Sequence, residues 1–256
     1  MEAKEIAINL ATSGVMLIIA AFIVLLWKRL TRGKLRWISI GCLAWLVSVA
    51  VKSAIALLTN EPLFNLLKSV FGNTGYIVLG ALWLGILTGL TEIPIGFWIA
   101  RNRKYYTWKQ GSGYGLGFGV FEAGVLAVSF AMLVLTEMFA PGNLPAEVLD
   151  LIEDVSWDTV AIANIERLFA VAIHVATGML IVYSIAAKSM IAFWVAVVYK
   201  STVDGLAGTF HLAGVVDAWN PWLIEAMIFP LAVIGVIMIV SLRRKWPQAV
   251  IPTDAS

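Results

Sequence analysis

The sequence predicts an all-α fold: a polytopic membrane helix bundle of seven transmembrane helices forming one domain over residues 1–256, N-terminus outside and C-terminus cytoplasmic. Three observations lead there. Hydrophobic residues make up 61% of the chain and charged residues only 13%, with a mean hydropathy of +0.90, so lipid replaces water around much of the surface. Seven apolar segments are each long enough for a hydrocarbon core of about 30 Å, which takes about 20 residues at about 1.5 Å per residue. The basic residues between those segments fall consistently on one side.

The first segment, 6–28, follows Met1-Glu2-Ala3-Lys4-Glu5, not a basic leader, and has no small-residue cleavage site, so it reads as a retained helix. Lys28, Arg29, Arg32, Lys34 and Arg36 lead into the second, 37–59. The third, 75–100, is followed by Arg101, Arg103, Lys104 and Lys109, and the fourth spans 115–140. Lys188 lies between the fifth, 163–186, and the sixth, 190–212; Arg243, Arg244 and Lys245 close the seventh, 221–242. Thirteen of the 18 Lys and Arg residues thus share one side. The other receives Lys4, Lys68 and the acidic Glu147, Asp150, Glu153, Asp154 and Asp158, and the positive-inside rule sets the orientation.

Trp27, Trp37, Trp108 and Trp246 at the inner boundary and Trp157, Trp219 and Trp222 at the outer one fit interfacial belts. Two outer connections, Asn60 to Thr74 and Leu144 to Thr159, carry spaced apolar residues (Leu63, Leu66, Leu67, Phe71; Val148, Leu149, Leu151, Ile152, Val155) and predict short surface helices. A net charge of +2 gives no reason to expect nucleic acid; the expected partners are the lipid bilayer and another membrane protein. Cys42, the single cysteine, excludes an intrachain disulfide and a CxxC site and reads as small filler.

Lys52, Arg167, Lys200, Glu92, Glu122, Glu166, Asp204 and His174 lie inside these helices. An ionised group at the bilayer centre costs at least about 3 kcal/mol, so such groups pair or face a polar interior. Helical phase supports a shared one. Gly85, Gly89, Glu92 and Gly96 share a face, as do Gly115, Gly119, Glu122 and Ser129, and the small residues permit close helix contact. Arg167, Ala170, His174 and Gly178 line the fifth segment; Lys200, Asp204, Gly208 and His211 line the sixth. Rise per residue puts Glu92 about 12 Å and Glu122 about 10 Å from the inner boundary, with Lys200 and His174 near mid-membrane. Lys52, Glu166 and Arg167 fall nearer the outside, where a Lys52–Glu166 pair is expected. His211 reads as a hydrogen-bonding residue, Glu137 and Glu225 as solvated carboxylates at the outer boundary, and Pro230 as a kink. The glycines of 111–119 do not match a phosphate loop and read as a tight connection with a close helix crossing.

Taken in order, Gly89-Leu90-Thr91-Glu92-Ile93-Pro94, Trp108-Lys109 ahead of Gly117-Phe118-Gly119-Val120-Phe121-Glu122, Glu166-Arg167-Leu168-Phe169-Ala170 with His174, and Lys200-Ser201-Thr202-Val203-Asp204 form a pattern. It resembles the YhfC-type branch of the intramembrane protease superfamily that includes the CAAX-processing proteases, PrsW-type proteases and the gamma-secretase scaffold subunit. The resemblance covers roughly residues 75–210. It implies a multi-pass protein of a prokaryotic cell membrane, with Glu92, Glu122 and His174 as candidate catalytic residues and His174 and Glu122 as candidate metal ligands. Lys200, Asp204, Glu166, Arg167 and Lys52 form the expected buried polar network.

Against that pattern, Ile93 stands where a second Glu is usual, Gly96 at an Arg position, and Phe118 and Lys200 at two His positions. A catalytic zinc ordinarily needs three protein ligands and an open water position. Lys200 at a ligand position puts a cation where the metal should be and favours a structural ion network, so no cofactor is expected, with zinc entering only if the chain is catalytic. Three readings stay open: a non-catalytic scaffold or partner subunit, an intramembrane peptidase with an altered Glu/His site, and an ion-coupled transporter or channel.

Overall fold

The computed structural model describes residues 3–102, 106–149, 152–153, 155–214 and 220–247. Arg103, Lys104, Asp150, Leu151, Asp154 and Trp219, named above, lie outside the described residues, as does the side chain of Glu147. The helices are α1 (Ala3–Thr31), α2 (Arg36–Ala100), α3 (Trp108–Phe139), α4 (Ala146–Leu149), α5 (Trp157–Ala186), α6 (Met190–Leu212) and α7 (Pro221–Lys245). All but α4 are long and apolar enough to cross a membrane, six helices in total among the described residues.

α2 has 65 residues, about 97 Å if straight, far more than one crossing needs. It is not straight. Gly72 has φ 66 and ψ −169, a conformation in effect reserved for glycine, and the helix reverses there. Phe64 and Tyr76 stack edge to face at 5.7 Å across the reversal, and Trp83 Nε1 donates to Asn60 Oδ1 at 2.9 Å. The expected separate surface helix over 60–74 is therefore the tip of this hairpin. Among the described residues of 144–159 ahead of α5, the expected helix is the single turn of α4, and Ile152 is pinned to α1 by a bond from Asn9 Nδ2 to its carbonyl at 2.8 Å.

Glycine sets the closest helix crossings. A Cβ on Gly178 of α5 would strike Gly115 of α3, and one on Gly41 of α2 would strike the Tyr114 carbonyl. Gly85 and Gly89, in the second arm of α2, lie against the α6 backbone at Ser201 and Val197. These contacts make α2 with α6 and α3 with α5 the most extensive packing pairs. The glycines of 111–119 are helical, inside α3, with Gly111 and Gly113 receiving the rings of Trp246 and Trp27.

One end of the bundle gathers basic residues. Trp27 Nε1 donates to Ser112 Oγ at 3.0 Å, Trp246 Nε1 to the Tyr106 carbonyl at 3.1 Å, and Arg243 lies 4.5 Å over the Trp108 ring. The end of α1, the start of α3 and the end of α7 thus meet, bringing Arg29, Arg32, Lys34, Lys109 and Arg244 to one end. Trp37 is buried against Tyr106 instead of standing in an exposed belt, whereas Trp157 and Trp222 are exposed. Cys42 is free, and its thiol donates to the Gly117 carbonyl at 3.4 Å.

Candidate functional site

Lys52, in the first arm of α2, donates to Glu92 Oε1 in the second arm at 2.7 Å. Glu92 is only 2% exposed. Its other oxygen, Oε2, lies 3.4 Å from Lys200 Nζ of α6, an ion pair without hydrogen-bond geometry. Lys200 in turn donates to Asp204 Oδ1, one helical turn on, at 3.2 Å. The lysine is buried, so its charge is held by two carboxylates on two helices.

A second set surrounds Glu122 of α3. Arg167 Nη1 of α5 donates to Oε1 at 2.8 Å; Oε2 lies 2.8 Å from His174 Nε2 and accepts from Trp45 Nε1 at 3.0 Å. Arg167 also donates through Nη2 to its neighbour Glu166. His174 is buried, with Phe118 at 6.0 Å between ring centroids, and its Nδ1 has no hydrogen-bond partner. Because a carboxylate only accepts, the Glu122 contact requires the hydrogen on Nε2 while Glu122 is ionised.

Every predicted interior residue takes part, but the partners differ from the expected ones. Lys52 meets Glu92, not Glu166, because the reversal at Gly72 lays residue 52 against residue 92 while Arg167 engages Glu166. The expected division between an outer group (Lys52, Glu166, Arg167) and an inner one also fails, since Lys52 bonds Glu92 across the α2 reversal and Arg167 bonds Glu122 across the α3–α5 contact. Glu225, expected to be solvated, is buried at 6% exposure on α7, with Oε2 unpartnered. Glu137 accepts from the Gly142 amide. His211 lines a cavity of about 380 Å³ that reaches Lys52, Thr88 and Asp204; its lining includes neither Glu122 nor His174. Trp45 was not anticipated. Its position, deep in its segment and away from both interfaces, is the signal: a buried indole N–H calls for an acceptor.

These residues do not fit a catalytic metal. His174 is the one histidine in the network, and its Nε2 is turned to Glu122, both of whose oxygens accept from protein donors. Glu92 is held by two ammonium groups. A divalent cation there would meet Lys52 and Lys200 at the carboxylate it needs. Among the described residues, no group of three or more His, Cys, Asp or Glu could hold a metal ion.

A family model described as YhfC intramembrane metalloprotease matches residues 15–228. No curated protein matches the chain, and no solved structure does.

Proposed function

Since the chain belongs to the YhfC intramembrane metalloprotease family, we propose that it is a non-catalytic member, a scaffold or partner subunit that holds another membrane protein. It crosses the cell membrane of a prokaryote seven times, counting each arm of α2, with its N-terminus outside and its basic end in the cytoplasm. The observation that carries the reading is Lys200: its ammonium lies 3.4 Å from Glu92 and 3.1 Å from Asp204, where the family pattern implies a histidine ligand. Glu92 and Asp204 are thereby balanced by Lys52 and Lys200, which supports a polar interior held together without metal. The test is metal analysis and peptide cleavage by the purified chain, with co-purification from its native membrane. A stable second membrane protein, no stoichiometric metal and no cleavage are expected. Stoichiometric zinc lost in His174→Ala, with cleavage lost in Glu122→Gln, would overturn the reading.

The altered-peptidase reading draws on the 2.8 Å His174–Glu122 contact. There Glu122 is the base that activates water and His174 orients it. Cleavage that survives exhaustive chelation but not Glu122→Gln would favour it.

A further inference from the structure

We propose that the basic end of the bundle contains a binding site for a phosphate group, that of an anionic phospholipid headgroup or free phosphate. A cavity of about 210 Å³ between the α1–α2 turn and the start of α3 is lined by Arg32, Lys34, Trp37, Thr107, Lys109 and Gln110, with no carboxylate among the described residues of its wall. Among the described residues, none of the three cations has an Asp or Glu within ion-pair distance. All three side chains are solvent-exposed, so water and salt screen their repulsion, but three cations beside one small cavity still give it a positive potential that favours an anion there. The volume is below that of pockets for drug-sized ligands, which begin at about 300 Å³, and suits a single headgroup.

The backbone that carries these side chains is fixed in place. Arg32 holds φ 53, left-handed and unusual for a non-glycine residue. The turn that imposes it is tied by Lys28 Nζ donating to the Gly33 carbonyl at 2.8 Å and by the Gly33 amide donating to Thr31 Oγ1 at 3.0 Å. Opposite, the Gln110 side chain accepts from the Thr107 amide at 2.8 Å, closing a capping box at the start of α3. Trp37 forms a buried wall against Tyr106. Two cations on the turn and one on α3 are thus presented to the same space by backbone that does not have to reorganise on binding.

The full chain, purified in uncharged detergent, is titrated with phosphatidylglycerol, with phosphatidylcholine, and separately with inorganic phosphate, and occupancy is read by native mass spectrometry. Saturable binding of phosphatidylglycerol over phosphatidylcholine is expected. Arg32→Gln/Lys34→Gln/Lys109→Gln should lower affinity about a hundredfold, as each removes one direct charge contact to the bound phosphate, worth about fivefold apiece. The charge-matched Arg29→Gln/Arg244→Gln/Lys245→Gln, outside the cavity and acting on one bound phosphate only through screened, longer-range attraction, should change it under about threefold. Should the first variant fail to fold, Lys34→Gln/Lys109→Gln leaves Arg32 and its turn intact and is read instead. Tight binding of inorganic phosphate would identify the free ion as ligand, and preference for the lipid alone the headgroup. Equal losses in the two charge-matched variants, or no saturable binding of either ligand, would overturn the proposal.

Discussion

Lys52 and Glu92 stand 40 residues apart on α2, about 60 Å along a straight helix, yet their charged groups meet at 2.7 Å. The pair closes the helical hairpin on itself and gives the buried Glu92 its one short hydrogen bond. Lys52→Met should therefore destabilise the chain by about 3 kcal/mol, the lower part of the range for breaking a buried pair, since Lys52 keeps some exposure. In a double-mutant cycle with Glu92→Gln the two changes should couple by at least about 1 kcal/mol. The corresponding cycle of Lys52→Met with Glu166→Gln should be additive within about 0.5 kcal/mol. Unfolding in detergent measures both, and coupling to Glu166 in place of Glu92 would contradict the arrangement.

Gly72 makes that meeting possible. Nothing lies within 4 Å of a Cβ placed there, so Gly72→Ala tests backbone conformation and not packing. With φ 66 and ψ −169, the alanine should cost about 1–3 kcal/mol. It should also weaken the Lys52–Glu92 coupling as the reversal loosens. Unchanged stability would mean that the hairpin does not depend on this conformation.

Much of this arrangement was legible in the sequence. The 190–212 segment emerges with the same bounds because Ser189 caps its start, accepting from the Ala192 amide, and Gly214 follows its end at positive φ. α3 begins at Trp108, ahead of the apolar segment, because the Thr107–Gln110 capping box, not hydropathy, sets its first turn. Phase placed Glu92, Glu122, Arg167, His174, Lys200 and Asp204 on interior faces. It did not give their partners, since phase fixes the face of one helix but not the register of one helix against another. The Lys52–Glu92 pair and the Trp45 bond to Glu122 depend on such registers.

The α3–α5 crossing depends on two glycines facing each other. A Cβ on Gly178 meets the Gly115 backbone and one on Gly115 meets His174 and Val175, so neither can be relieved by a side-chain rotation. Gly115→Ala and Gly178→Ala should each cost about 1–3 kcal/mol, at least. Gly124→Ala, on the same α3 with open space at its Cβ, should be neutral or stabilising by up to about 1 kcal/mol. Thermal unfolding in one detergent compares all three. Equal effects would show that the close approach is not specific to this crossing.

If Lys200 and Phe118 are what keep a metal out, replacing both with histidine should admit one. Phe118 lies beside the His174 ring, and Lys200 faces Glu92 and Asp204. Phe118→His/Lys200→His removes the buried ammonium and adds two imidazoles to the single one already there, meeting the three-ligand requirement of a zinc site. The double variant should bind about one zinc per chain, measured by elemental analysis after dialysis, with His174→Ala abolishing it. Phe118→His alone should bind none stoichiometrically, because Lys200 would still occupy the Glu92 side. Lys200→Met should bind none either and should destabilise the chain by about 3–5 kcal/mol, having removed one partner of a buried charge cluster. Stoichiometric zinc in the unaltered chain would show that Lys200 does not exclude metal, and the non-catalytic reading would lose its main support.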